Sequence, residues 1–567
     1  MRPRSAMAGL IAVVLAGSAC SSAPPPRPVV SGPPVAPAPG PGVPLSLPPS
    51  PLSEDQRILH ALNRLGYGPR PGDVERVRRI GLATYIERQL DPRSLADPAI
   101  DSALAGYPVL GLNAAQLVRD YPQPTQQVRQ RLAQGEMSRQ DVIAMYPPER
   151  RPAVITTQMQ AARVTRAVLS ERQLEEVMVD FWFNHFNVYA QKGAVRWMLP
   201  AYEREAIRPH AFGRFRDLVL ATARHPAMLF YLDNWLSTRA DLVVLRGPNA
   251  GRQMGLNENY ARELMELHTL GVDGGYTQQD VIEVARCFTG WSIDRPQQGG
   301  GFVFRSEAHD RGVKRVLGQV IPAGGGIQDG ERVIDILVRH PSTARFIATK
   351  LVRRLVSDEP PPALVERAAD TFQRTDGDIR AVVVTIVSSP EFWSADAYRA
   401  KIKTPLEVVA SAMRTLGGHI TPSPGNEALD GGGVALAREV GKLGEPLYEA
   451  QPPTGYPDRA ESWVNTGALL GRMNFALGLA HNRYRGVRVD VAGLLGPADR
   501  SQPDQVLDRL LAVVLEGQVT PHTRSVLASQ LDSPEITRTT AYDRVPKDTD
   551  VEKLAALVLG SPEFQRR

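Results

Sequence analysis

Cysteine is almost missing from this sequence. There are two in 567 residues, Cys20 and Cys287. Cys20 lies in a cleavage region near the start, so no disulfide pair is available. Cys287, alone inside a helical pattern, reads as a buried, inert thiol. Blocks of like charge are also missing. A net charge of +5, mostly from scattered arginines, is too diffuse for a nucleic-acid partner. Common enzyme signatures are absent: no Gly-x-Ser-x-Gly elbow, no P-loop, no GxGxxG at a strand–helix junction, no CxxCH and no paired CxxC. The fold class and the function therefore have to come from patterns rather than from a single motif.

The N-terminus carries the plainest pattern. "MRPRSAMAGLIAVVLAGSAC" has Arg2 and Arg4, an apolar run from Ala6 to Ala16, then small residues before Cys20. That is an export signal over residues 1–19, and its apolar run is too short to span a bilayer. "AGSAC" resembles a bacterial lipobox, with Gly17 where the pattern usually has leucine. The resemblance implies acylation of Cys20, a membrane partner through that lipid, and, with Ser21 following, outer-membrane sorting. Residues 20–52 are Pro-rich and nearly uncharged, which predicts a disordered, extended linker. At ~3.1 Å per residue, about thirty residues would reach roughly 90 Å.

From residue 53 to 567 the pattern is that of a mainly α body. A single core seldom grows past ~300 residues, so two lobes or one heavily elaborated domain are expected. Ser53, Glu54 and Asp55 predict the first helix start. Residues 301–321, "GFVFR" and "KRVLGQVI" around "SEAHDRG", predict a small β-hairpin insert with a six- or seven-residue loop. Residues 419–457 are Gly/Pro-rich and predict a long ordered loop. "SPEFW" near Trp393 and "SPEFQ" near Gln565 each follow a helix, which predicts a shared stop in which Pro ends the helix and Phe docks on the core.

The candidate site residues lie in three segments. In "GLNENYARELMELHTLGVDGGYTQQDVIEVARCFTGW", Glu258, Asn259, Arg262, Glu263 and Glu266 share one polar arc, with Asn257 just ahead of it. Glu258, Arg262 and Glu266 form an i,i+4 ladder. His268 falls on the apolar side, which predicts a hydrogen-bonded core histidine. Gly271 predicts a helix end, and Thr277 with Asp280 predicts a capping box. In "EEVMVDFWFNHFNVYA" the wheel is apolar except for a stripe of Glu176, Asp180, Asn184 and Asn187. A buried carboxylate needs a partner, and the predicted one is the arc, with Arg262 as cation and the two stripes facing. In "HDRGVK", His309, Asp310 and Lys314 sit on the expected hairpin loop, where turn chemistry accounts for Asp310 and His309 is free to reach a site.

"DFWFNHFNV", "NENYARELMELHTLGVDGGYTQQDV", "HDRGVKRVLG", "KTPLEVVASAMRTLG" and "PPTGYPDRAESWVNTGALLGRMNFA" resemble, in order, the bacterial family known as domain of unknown function 1800 (DUF1800). The resemblance implies a large, mainly helical, exported protein. It also implies a partner, an exported protein from a sulfatase-related family often encoded alongside. It implies no activity, metal or cofactor. Two readings stand. One is a non-catalytic binding or assembly factor of the cell envelope. The other is an envelope hydrolase whose cleft joins Asp180, Glu263, Glu266 and His309, with or without a metal, and with Asn184, Asn187, Asn257, Asn259, Arg262, Asp310 and Lys314 around them.

Overall fold

Short-range signals set the helix starts. The hydroxyl of Ser53 accepts the Gln56 amide while Gln56 bonds back to Ser53, and the helix Glu54–Arg64 follows. Thr277 and Asp280 form the same reciprocal box ahead of Gln278–Phe288, and so do Thr404 and Glu407 ahead of Pro405–Thr415. Each box satisfies two N–H groups that a helix start leaves open. Gly271 has φ 83°, the left-handed turn expected after a helix.

A computed structural model describes residues 45–242, 255–421, 430–496, 500–538 and 548–567. Helices dominate, and three two-stranded antiparallel ladders are the only sheets among the described residues. Residues 44–567 form one unit. One main apolar core reaches from Ile58 to Phe564, with two small satellite clusters, so of the two expected arrangements it is the single elaborated domain that is found. Trp182, Trp291 and Trp393 are fully buried in it. Among the described residues no helix is long and apolar enough to cross a membrane.

Several expectations are corrected. The expected hairpin at 301–321 is two ladders. Phe302–Phe304 pairs back onto Trp291–Ile293, and Lys314–Val316 pairs forward with Gln319–Ile321. Residues 305–313 thus connect two ladders instead of forming one hairpin tip. The linker was expected to run to residue 52, yet residues 45–52 belong to the body. Leu45 and Leu47 pack on the core, the Leu45 N–H donates to Glu87 at 2.5 Å, and Ser50 donates to the Trp393 carbonyl at 2.7 Å. The Gly/Pro-rich stretch 419–457 contains a helix, Gly432–Lys442. Both Ser-Pro-Glu-Phe stops behave alike. Ser389 and Ser561 accept the amides of Phe392 and Phe564, and both rings are buried.

The helix expected over 257–270 is α-helical only at Asn259–Glu263 and then widens to a π-turn at Leu264–Thr269. The Leu270 amide reaches back five residues to Met265 at 2.8 Å, and the Thr269 hydroxyl reaches Leu264 at 2.6 Å. A second π-turn, Tyr202–Ile207, follows Val195–Ala201. Such widened turns are uncommon, and they recur near functional sites.

Candidate functional site

The helix Ala153–Leu169 is buried along most of its length, yet it carries Arg163, whose side chain is only 6% exposed. A buried guanidinium needs acceptors. Arg163 bonds Asp180 at 2.9 Å, Glu203 at 2.7 Å and the Tyr448 hydroxyl at 3.0 Å. Glu203 also accepts from Tyr448 at 2.6 Å and from Arg208 at 3.2 Å. Arg208 in turn forms a two-pronged pair with Glu176 at 2.7 and 2.9 Å. Burial opposes the charge on Glu203, but Arg163 and Arg208 outweigh it and hold the carboxyl far below the usual range.

On its other side Asp180 faces Arg354, 3.7 Å away. Arg354 spends Nη1 on Glu407 at 2.7 Å. Glu407 lies 2.9 Å from Arg567 as well and, despite burial, is held down to about 2 by the two guanidiniums. Beside Asp180 and Arg354 opens a cavity of about 40 Å³, room for roughly three or four water molecules at ~10–15 Å³ each. Arg163, Asp180, Arg354, Glu445, Tyr448 and Tyr456 are on its wall. Glu445 is 6% exposed and accepts the Leu406 amide at 2.9 Å. Burial, then the nearby Asp180 charge, push its carboxyl up to about 8, so at neutral pH it carries its proton.

One loop, residues 445–463, roofs the cavity. Asn184 holds it by a two-way pair with Tyr456, donating to its carbonyl at 2.8 Å and accepting its amide at 2.7 Å. Asn187 donates to the carbonyls of Ala450 and Pro452, each at 2.9 Å. Gly455 has φ 70°, and a Cβ there would sit 2.3 Å from the Asn184 Oδ1, so only glycine fits beneath the clamp. Tyr448 holds φ 64°, an uncommon backbone state for a bulky side chain.

The expected contact between the two polar stripes is not made. Glu176, Asp180, Asn184 and Asn187 do share one stripe, but it faces Arg208, Arg163, Arg354 and the roof loop. Arg262 pairs with Glu258 at 3.3 Å and Gln278 at 2.9 Å. Glu266 leaves the expected ladder and accepts from Tyr276 at 3.1 Å. Glu263 has its carboxyl raised by burial and by Glu266. Asn257 and Asn259 hold the 232–237 turn through the carbonyls of Asp233 and Leu232. The two helices meet instead at their histidines, where His185 Nε2 lies 3.1 Å from the His268 carbonyl. His268 is buried as expected, but its Nε2 has no hydrogen-bond partner. His185 is packed among aromatic rings, with Nδ1 3.1 Å from Lys350.

The 309–314 segment is also elsewhere. His309 is 2% exposed, bonded to the Thr289 carbonyl at 2.8 Å and to Asp329 at 3.1 Å. Lys314 shares that Asp329 oxygen at 2.6 Å. Asp310 pairs with Arg286 at 2.8 and 3.1 Å and accepts the Gly312 amide, the expected turn chemistry. His309 is thus a core residue between two ladders, not a loop residue facing the Asp180 cavity. Among the described residues no three His, Cys, Asp or Glu side chains gather in a set able to hold a metal.

The sequence matches the family described as Protein of unknown function (DUF1800) over residues 60–566. The chain belongs to this family. No curated protein and no solved structure matches it. For this DUF1800 protein the candidate site therefore rests on geometry. Sequence reasoning found Asp180, Asn184 and Asn187 but missed Arg163, Arg354, Glu445 and Tyr448. Arg163 had a signal: it is one of two arginines, with Arg166, in the mostly apolar run "AARVTRAVL". Glu445 and Tyr448 had none, because an irregular loop has no period to read.

Proposed function

We propose that this protein is exported, anchored by a lipid on Cys20, and acts in the cell envelope as a binding or assembly factor whose body takes a small polar ligand beneath the 445–463 loop. One observation carries the ligand part. Buried charged groups surround open space at the cavity, and the roof over it is fastened by side chains, not by its own secondary structure. The scattered placement of Glu263, Glu266 and His309 favours this reading over a carboxylate/histidine hydrolase. Cys20 lies outside the described residues, and the anchor rests on the leader pattern alone. An exported sulfatase-related protein is the partner that this reading carries forward.

A second reading keeps some acid–base chemistry. Proton-bearing Glu445 and ion-paired Asp180 line one cavity, and two carboxyl groups in different charge environments suit an acid and a base.

Two experiments test the proposal. Cys20→Ser should move the protein out of the membrane fraction or leave its leader uncleaved; normal cleavage with full membrane retention would remove the anchor. For the ligand, hydrogen exchange of residues 445–463 is followed against a fragment set of small acids, amines, amides and sugars. Protection of the loop by at least one class supports the cleft, and no protection by any class rejects it.

A further inference from the structure

Resting on that cleft reading, the geometry points to the chemical class of the ligand: we propose that the cavity receives a carboxylate, seated on the open edge of Arg354. An arginine binds a carboxylate best through two N–H groups that point the same way, and Nε with Nη2 is one such edge. Arg354 is 6% exposed. Its Nη1 is committed to Glu407 at 2.7 Å. Its Nε and Nη2 are buried and have no hydrogen-bond partner. Asp180 stands 3.7 Å from Nη2, beyond hydrogen-bond reach, and is itself taken by Arg163 at 2.9 Å. A buried guanidinium with its bidentate edge open is costly unless something planar and anionic completes it.

A second orphan is close enough to feel Asp180 and Arg354, although it is not on the cavity wall. The Tyr67 hydroxyl is buried without a partner, and its tyrosine is 2% exposed. Burial and then the Asp180 charge push that hydroxyl's pKa well up, so it stays a donor. Three unused donors, two from Arg354 and one from Tyr67, thus stand near Asp180, whose Oδ1 already has its own cation in Arg163, while Asp458 also lines the cavity.

The cavity wall carries Asp180 and Asp458 as well as Arg163 and Arg354, so the attraction for an anion is local to the Arg354 edge. Behind Arg354, Glu407 is shared between Arg354 and Arg567, with Lys401 and Lys403 also buried. In front, Glu445 is a proton-bearing neighbour that adds no repulsion and can donate to a carboxylate oxygen. At about 40 Å³ the cavity suits a small head group, with the rest of the ligand leaving past the 445–463 loop.

The test uses the full chain, with acetate against acetamide, and N-acetyl-dialanine against its C-terminal amide. Binding is read by titration calorimetry and by exchange of residues 445–463. The acids should bind about tenfold or more tighter than the amides. Equal binding of acetate and the dipeptide acid would mark a free small acid as the source, and much tighter dipeptide binding a peptide terminus. Arg354→Lys keeps the charge but not the edge and should lose about tenfold in acid affinity. Tyr67→Phe, a smaller change to the fold, should lose several-fold. Acids and amides that bind alike overturn the carboxylate assignment, as does loop protection by neutral or cationic fragments alone; in both cases the cleft itself stands. Protection by no fragment rejects the cleft and the carboxylate together.

Discussion

Asp180 is the residue on which the buried charge network turns. Its carboxylate accepts from Arg163 and faces Arg354, and without it each of these buried guanidiniums would lose its acidic neighbour on this side. Asp180→Ala should therefore destabilise the fold by about 3–5 kcal/mol, read by urea unfolding, and more than Glu258→Ala on the exposed Arg262 pair, where under ~1 kcal/mol is expected. Glu445 gives a pH signature. Its carboxyl is raised in the fold, so the native state holds a proton that the unfolded chain releases above the ordinary glutamate range. The stability this contributes is fully present below about pH 4.5 and is lost as pH rises through about 8. Glu445→Gln should flatten unfolding free energy against pH across that window by a few kcal/mol, roughly 2–5. An unchanged slope would mean that Glu445 is ionised in the fold.

At the scale of elements, local grammar was legible and partner choice was not. Capping pairs such as Thr277 with Asp280, the Gly271 stop and the two Ser-Pro-Glu-Phe ends all act within a few residues, so the chain states them directly. The stripe of Asp180, Asn184 and Asn187 was equally readable, because an apolar helix leaves few places for polar groups. Its partner was not readable. A wheel shows which way a helix faces but not what stands opposite, and Arg354, Glu445 and Tyr456 come from segments up to 272 residues away. The π-turn at Leu264–Thr269 defeated the wheel in another way. It changes the angular step, so Glu266 meets Tyr276 rather than Arg262. The single hairpin expected at 301–321 is paired differently because strand propensity does not choose between neighbours: Trp291–Ile293, ahead of the expected insert, supplied the missing strand. The clamp on the roof loop gives a test at this scale. Gly455→Ala should cost about 1–3 kcal/mol, since it strains the backbone and strikes Asn184. It should also speed exchange across 445–463 while leaving the Glu54–Arg64 helix unchanged.

The whole molecule buries more than one uncharged imidazole. His268 is lowered to about 3, mainly by burial and then by Lys350, and His225 is lowered to about 3 by burial and Arg204. His60 and His185 are shifted the same way, with burial first in each. For a base whose folded pKa is depressed, stability is complete above the unfolded value near 6.5 and is lost as pH falls toward the folded one. Acid unfolding should therefore begin below about pH 6, ahead of ordinary carboxylate titration. His268→Leu should shift its midpoint to lower pH, checked by tryptophan fluorescence against pH. A mutant that unfolds at the same pH would show that His268 is not among the groups that drive it.

The way residues 45–52 lie on the body also sets how it would answer a pull. Their fastenings come in sequence: Leu45 to Glu87, Pro48 to Arg57, Ser50 to Trp393. A force applied at residue 44 would load these one at a time, as when tape is lifted from its end, instead of sharing the load among them. Peeling needs little force, and each step releases a few residues of slack before the Glu54–Arg64 helix feels tension. In a stretching experiment the first extension should be gradual, with no sharp rupture, and Trp393 should keep its buried environment until that helix is reached. For a body held by its leading end, this strip would act as a yielding fuse that spares the core.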